Sequence, residues 1–125
     1  MEWPAPGDSV DAAYFDEVYS RSEDPWSYAQ DPYELDKYRK QIDWLTDGGR
    51  LRFAHGLEVA CAIGVFTRMF AEVCERVHGF DISPRAVELA RRNLADVGNV
   101  ALEAASFPDR ASHPPERYDA VAIPE

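Results

Sequence analysis

The sequence predicts an α/β fold in which a parallel sheet of about four strands, with helices on both faces, follows a helical N-terminal region. Three observations carry that prediction. An apolar run at residues 57–60 ends in a turn of mostly small residues, Ala60-Cys61-Ala62-Ile63-Gly64, and leads into an apolar helical stretch. A second apolar run, Val77-His78-Gly79-Phe80, ends on a carboxylate, Asp81. Beyond residue 50 the hydrophobic period alternates between strand and helix with short connections, the pattern of a parallel sheet with right-handed crossovers.

The elements follow in order. After an opening that contains Pro and Gly, residues 11–19 carry Tyr14, Phe15 and Val18 at helical spacing. Residues 22–30 read as a turn-rich connector, in which Asp24-Pro25-Trp26 forces an extended backbone and presents a large aromatic. Asp31-Pro32-Tyr33-Glu34 starts the next helix sharply, with an acidic N-cap, proline at the first helical position and glutamate three residues after the cap. Leu35, Tyr38, Ile42 and Leu45 share its apolar face, and Asp47-Gly48-Gly49 stops it.

From there residues 57–60 form the first strand, 66–73 a crossover helix and 77–80 the second strand. Ser83-Pro84 caps a helix that runs through Leu94, with Val87, Leu89, Ala90 and Leu94 as its apolar positions. Gly98-Asn99 turns into a third strand near residues 100–104. A loop bearing Pro108, Pro114 and Pro115 leads to a fourth at residues 118–123. No internal repeat or low-complexity run interrupts the series. The chain thus divides into a helical cap, residues 1–50, and a nucleoside-binding half-domain, residues 51–125.

The strand–turn–helix–strand–carboxylate layout is that of a nucleoside site. Small residues at 60, 62 and 64 let a ligand approach the backbone, and Asp81 at the next strand tip is placed to accept hydrogen bonds from ribose hydroxyls. A dinucleotide fingerprint needs small residues at 60, 62 and 65, but position 65 is Val and the glycine stands at 64. The spacing therefore disfavours a pyrophosphate ligand.

Glu58, Ala60, Ala62, Gly64 and Asp81 together resemble motif I and the ribose-binding acid of class I S-adenosylmethionine-dependent methyltransferases. Tyr14-Phe15-Asp16, Asp24-Pro25-Trp26, Tyr33-Glu34 with Lys37, Asp81-Ile82-Ser83-Pro84-Arg85-Ala86, and Tyr118-Asp119 with Glu125 look like the nodulation-protein-S branch of that superfamily. The resemblance covers nearly the whole chain. It implies a Rossmann-like sheet in the order 3-2-1-4 and S-adenosylmethionine as cofactor, with an amine or hydroxyl of a small molecule or saccharide as acceptor.

The resemblance also distributes roles over the pocket. The turn, including Cys61, and the start of the following helix would face the methionine end; Asp81 would take the ribose diol, and Ile82 would lie against adenine. Glu58 would assist near the cationic end or brace the loop backbone. Ser106 and Phe107 would edge the adenine, with Phe107 alternatively a core contact; family members often carry aspartate near 106. Tyr33, Glu34 and Lys37 would form a lid, or belong to an amphipathic helix packed on the sheet. Glu125 is the one acid/base candidate.

Two departures from the family stand out. Position 60 is alanine where glycine is usual, so its methyl group would crowd either the cofactor or the φ of the turn. The sequence also ends just after its fourth strand, where the family's sheet has seven, which leaves an apolar edge at residues 118–123 expected to promote self-association. Three readings follow: a methyltransferase or its cofactor-binding half, a non-catalytic nucleoside-binding or assembly half-domain, and an NAD(P)-linked oxidoreductase, which the glycine spacing opposes.

Composition narrows the partners. The 125 residues, 46% hydrophobic, suffice for one core, and a net charge of −10 argues against nucleic acid or an anionic membrane surface. Cys61 in the turn and Cys74, read as part of the helix after it, make no disulfide framework or metal pattern, and both suit buried positions. His55 and His78 have no sequence neighbours that would make them ligands or bases, and His113 reads as exposed loop. No metal is expected. No apolar run spans a membrane, and the acidic start is no signal peptide, so the expected compartment is a reducing cytoplasm.

Overall fold

The structure, a computed structural model, describes residues 9–24, 31–105 and 117–124. Its elements are α1 (Ser9–Arg21), α2 (Pro32–Leu45), β1 (Phe53–Val59), α3 (Val65–Ala71), β2 (Cys74–Asp81), α4 (Pro84–Asn93), β3 (Val100–Ala104) and β4 (Ala120–Ala122). The strands form one parallel sheet in the order β3-β2-β1-β4, as expected. Pro25, Trp26, Ser106, Phe107, Pro108, His113, Pro114, Pro115 and Glu125, singled out in the sequence, lie outside the described residues.

The helix boundaries follow their caps. Asp31 accepts a hydrogen bond from the Tyr33 N–H at 2.9 Å, and Ser83 Oγ accepts from the Ala86 N–H at 3.1 Å, each with proline opening the helix. The reciprocal half of the expected box at α2 is replaced by an ion pair, Glu34 to Lys37 Nζ at 2.9 Å. Asp47, Gly48 and Gly49 all take positive φ, and the Gly48 N–H returns to the Asp43 carbonyl at 2.8 Å.

Several boundaries differ from the sequence reading, among them α1, which runs Ser9–Arg21, and β2, which starts at Cys74. β1 starts at Phe53, because Ala54 and His55 find partners far along the chain: the Asp119 carboxylate accepts from both N–H groups at 2.8 Å. The same use of Asp119 leaves β4 only three residues long. α3 ends at Ala71, so Cys74 opens β2 rather than sitting in a helix; it is buried there, as expected.

Alternation along β1 and β2 sends Gly56, Glu58, Val77 and Gly79 to one face, and α3 packs there. A Cβ on Gly56 would stand 2.6 Å from Phe70 Cζ, so glycine lets the Phe70 ring lie directly on the strand. Phe70 is fully buried, worth about 2–3 kcal/mol of transfer free energy. Tyr38 of α2 meets Phe66 edge-on at 5.5 Å, which seats α2 on α3 beside the turn after β1. α1 docks separately, with buried Tyr19 packed on Ile63, Ala86 and Leu89. The β3–β4 connection lies largely outside the described residues.

Candidate functional site

Parallel strands bring the C-terminal ends of β1 and β2 side by side, where open α/β sheets bind their ligands. β1 ends at Val59 and the backbone turns away through Ala60 and Ala62, whose φ values of 62° and 50° lie in the left-handed region. Such angles cost a non-glycine residue roughly 1–2 kcal/mol. The alanine at 60 therefore fits the turn only under strain, and its methyl group is exposed rather than packed. Gly64, with φ 93°, cannot be replaced cheaply: a Cβ there would lie 2.8 Å from Leu94 Cδ1.

Beneath this turn lies Glu58, fully buried. One carboxyl oxygen accepts a hydrogen bond from Thr67 Oγ1 of α3 at 2.5 Å, and the other, Oε2, has no partner among the described residues. Burial pushes the Glu58 pKa up from 4.5 to about 8; the Thr67 hydroxyl opposes that rise, and the charge of Asp81 adds to it. Glu58 thus stands as a neutral acid at pH 7. A cavity of about 30 Å³, lined by Glu58, Ala60, Ala62, Tyr38, Phe66 and Pro124 among others, adjoins it. That volume admits a water-sized polar group, so a nucleoside has to extend along the open surface beyond it.

Asp81 sits across from the same turn with both oxygens engaged. The Ala62 N–H donates to Oδ2 at 2.9 Å and the Ser83 N–H to Oδ1 at 3.0 Å, which ties the turn after β1 to the tip of β2. Burial raises its pKa, and the donated N–H groups pull it back down. Each oxygen keeps a further lone pair for an incoming hydroxyl. Ile82, half-buried, follows directly.

The remaining expected residues separate into three groups. Cys61 lies in the turn with its thiol buried, and desolvation holds that thiol well above its ordinary pKa; its backbone closes the turn by donating to Phe80 O and accepting from Gly64 N–H. Burial likewise pushes Cys74 up to about 11, so neither cysteine offers a thiolate. Tyr33, at the start of α2, is 73% exposed. Ser106, Phe107 and Glu125 lie outside the described residues.

Tyr38, Thr67 and Ser83 belong to the site and were read from sequence only as helix-face or capping residues, or passed over. The signal for Thr67 was its place on the first turn of α3, where a hydroxyl faces back toward the strand it follows. His55 and His78, expected in loop or strand-edge roles rather than as ligands or bases, sit on β1 and β2 and bond to distant segments. His55 Nδ1 lies 3.1 Å from the Arg117 carbonyl, and His78 Nδ1 lies 2.9 Å from the Tyr118 hydroxyl, with Nε2 3.3 Å from Glu103. Among the described residues no cluster of metal-ligating side chains occurs, and no helix is long and apolar enough to cross a membrane.

Comparison with known proteins matches this architecture. The methyltransferase domain family matches residues 57–125, which takes in the turn and both acids. The chain is 36% identical over 69 residues to nodulation protein S of Bradyrhizobium diazoefficiens, covering 55% of this chain and 32% of that protein. It is 30% identical over 119 residues to a ubiquinone biosynthesis O-methyltransferase of Thiobacillus denitrificans, covering 94% of this chain and 50% of that one. A crystal structure of N-methyltransferase NodS from Bradyrhizobium japonicum WM9, in complex with S-adenosyl-L-homocysteine, shares the fold: TM-score 0.76 at 23% identity, over 88% of this chain and 54% of NodS. The chain thus spans about a third to a half of the length of the curated relatives it matches.

Proposed function

The chain belongs to the methyltransferase domain family, and on that premise we propose that it binds S-adenosylmethionine across the tips of β1 and β2 and serves methyl transfer to a nitrogen or oxygen of a small molecule or saccharide. The observation that carries this reading is the buried Glu58 Oε2 beside the turn, which has no partner among the described residues and lies one strand away from Asp81. An orphaned carboxyl oxygen calls for a donor, and an ammonium group satisfies it while compensating a charge that burial otherwise forbids. The spacing of an acid for a cation and an acid for a diol fits this cofactor. A pyrophosphate would meet the Asp81 carboxylate there and no cationic side chain among those lining the turn.

When bound, the cofactor supplies an electrophilic methyl group on a sulfonium. The chain's own residues bind and orient. Asp81 accepts from the ribose hydroxyls with the lone pairs that Ala62 and Ser83 leave free; Ile82 offers an apolar surface to the adenine. Glu58 Oε2 faces the cationic methionine end, held by Thr67, with Cys61 and Gly64 shaping the turn around it. Ser106, Phe107 and Tyr33 complete the proposed cofactor contacts, and Glu125 is the proposed acid/base group. N-methylation and O-methylation are both represented among the relatives by name, which supports an amine or hydroxyl acceptor and leaves the choice to assay. In this reading residues 1–50 are a helical cap on a cofactor half-domain, and the free thiols suit a reducing cytoplasm.

A second reading, a nucleoside-binding or assembly unit without catalysis, draws on β4. Among the described residues that strand pairs only with β1, and Val121 and Ile123 are 54% and 57% exposed beside it. Sedimentation of the chain tests self-association at this edge. Calorimetric titration with S-adenosylhomocysteine and with NADH, alongside a radiolabelled-methyl assay on amine and hydroxyl acceptors, tests the first reading. Binding of the homocysteine ligand and not of NADH is expected. NADH binding alone would overturn it.

A further inference from the structure

We propose that Asp16, on α1, is a positioning residue for ribose recognition, acting on Asp81 through Ser83. The proposal rests on the reading of Asp81 as the ribose acceptor. Asp16 Oδ1 accepts from Ser83 Oγ at 2.6 Å and from the Arg85 N–H at 2.9 Å, bridging α1 to the start of α4. Ser83 is fully buried, and its hydroxyl has two tasks: it accepts from the Ala86 N–H at 3.1 Å, and it gives its own proton to Asp16. With both filled, one rotamer is fixed. The same residue's N–H then points at Asp81 Oδ1 at 3.0 Å.

Asp81 takes its other donor from Ala62, so the carboxylate is held from the turn on one side and from α4 on the other. Asp16 secures the second of these holds. Without it, the buried Ser83 hydroxyl and the Arg85 N–H lose their acceptor, and the first turn of α4 can relax away from Asp81. α1 is anchored independently by buried Tyr19, and the chain just beyond it by the Glu23–Arg92 ion pair, so loss of Asp16 loosens the hold without releasing the helix. Helix α1 thereby reaches the Asp81 side of the cofactor site through the Asp16 side chain. A negative charge at 16 also faces Asp81 and adds to the rise in its pKa, which places the two carboxylates within electrostatic reach.

The test is calorimetric titration of the full-length protein with S-adenosylhomocysteine, comparing wild type with Asp16→Ala, Asp16→Asn, Ser83→Ala, Asp81→Ala and the Asp16→Ala/Asp81→Ala pair. Asp16→Ala is expected to weaken binding about tenfold, and Asp16→Asn, which keeps the accepting oxygen, less than about threefold. Ser83→Ala cuts the same link from the other side and should match Asp16→Ala, which keeps the question open to test if that variant folds poorly. In the Asp81→Ala background the Asp16 effect should vanish, because the two act on one contact. An equal loss with and without Asp81 would mean a purely structural role and overturn the proposal, as would an asparagine variant as damaged as alanine. Wild-type affinity in Asp81→Ala would instead remove the ribose assignment itself, and the proposal with it.

Discussion

The two strand tips that make the site are built on opposite principles. At β2, each oxygen of Asp81 already holds one donor and keeps a lone pair free, and Ser83, Asp16 and Ala62 lock it in place. At β1, Glu58 holds one oxygen with no partner among the described residues, beneath alanines in left-handed backbone and a cavity of about 30 Å³. The satisfied tip is preorganised to receive a neutral diol. The unsatisfied tip stores a cost that a ligand can relieve, and the difference teaches which end of a ligand each one takes: hydroxyls need a fixed acceptor, whereas a cation needs a carboxylate that is ready to ionise.

The sharpest way to break that contrast is to make Glu58 permanently neutral. Its folded pKa, about 8, lies above the ordinary 4.5, so the folded state holds a proton that the unfolded chain releases between those values. The stability tied to that proton is fully present below pH 4.5, falls as pH rises and is lost by about pH 8. Glu58→Gln should therefore match the wild type near pH 5 and exceed it near pH 9 by roughly 3–5 kcal/mol, measured by urea unfolding at each pH. Parallel curves at both pH values would show that Glu58 is ionised in the fold.

The β2 tip is probed by Asp81→Ala, which should weaken S-adenosylhomocysteine binding by about 1.5–3 kcal/mol, the range for hydrogen bonds to a charged group. Unchanged affinity by calorimetry would remove Asp81 from the site. The smallest effect belongs to the turn. Ala60→Gly relieves left-handed strain but adds backbone entropy to the unfolded state, for a net gain in stability of about 0.5–1 kcal/mol, and it should also tighten cofactor binding. Ala62→Gly should gain less, because that methyl group packs against Ile63 and its neighbours. Weaker binding in a folded Ala60→Gly protein would show a turn adapted to alanine.

The preorganised tip was the more legible of the two in sequence. Asp31 and Ser83 announce their helices because capping is local, and Asp81 follows its strand directly, so residue type and position sufficed. The sheet order was legible only through family resemblance, since strand pairing is set by contacts between distant residues. What stayed hidden depends on such contacts too. Asp119 reaching back to Ala54 and His55 extends β1 and shortens β4, Tyr118 joins His78, and Asp16 caps a helix more than sixty positions along the chain. Nothing in the local pattern around Asp16 or Asp119 encodes those partners.

The central claim is that the carboxyl group under the turn stays protonated until a cation arrives. Calorimetric titration with S-adenosylhomocysteine from pH 5 to pH 9, repeated in buffers of different ionisation enthalpy, tests it directly. Affinity should rise with pH up to about 8, with close to one proton released on binding near neutrality, and Glu58→Gln should lose both effects. Binding by the wild type with the same proton release and the same pH dependence as Glu58→Gln would contradict it.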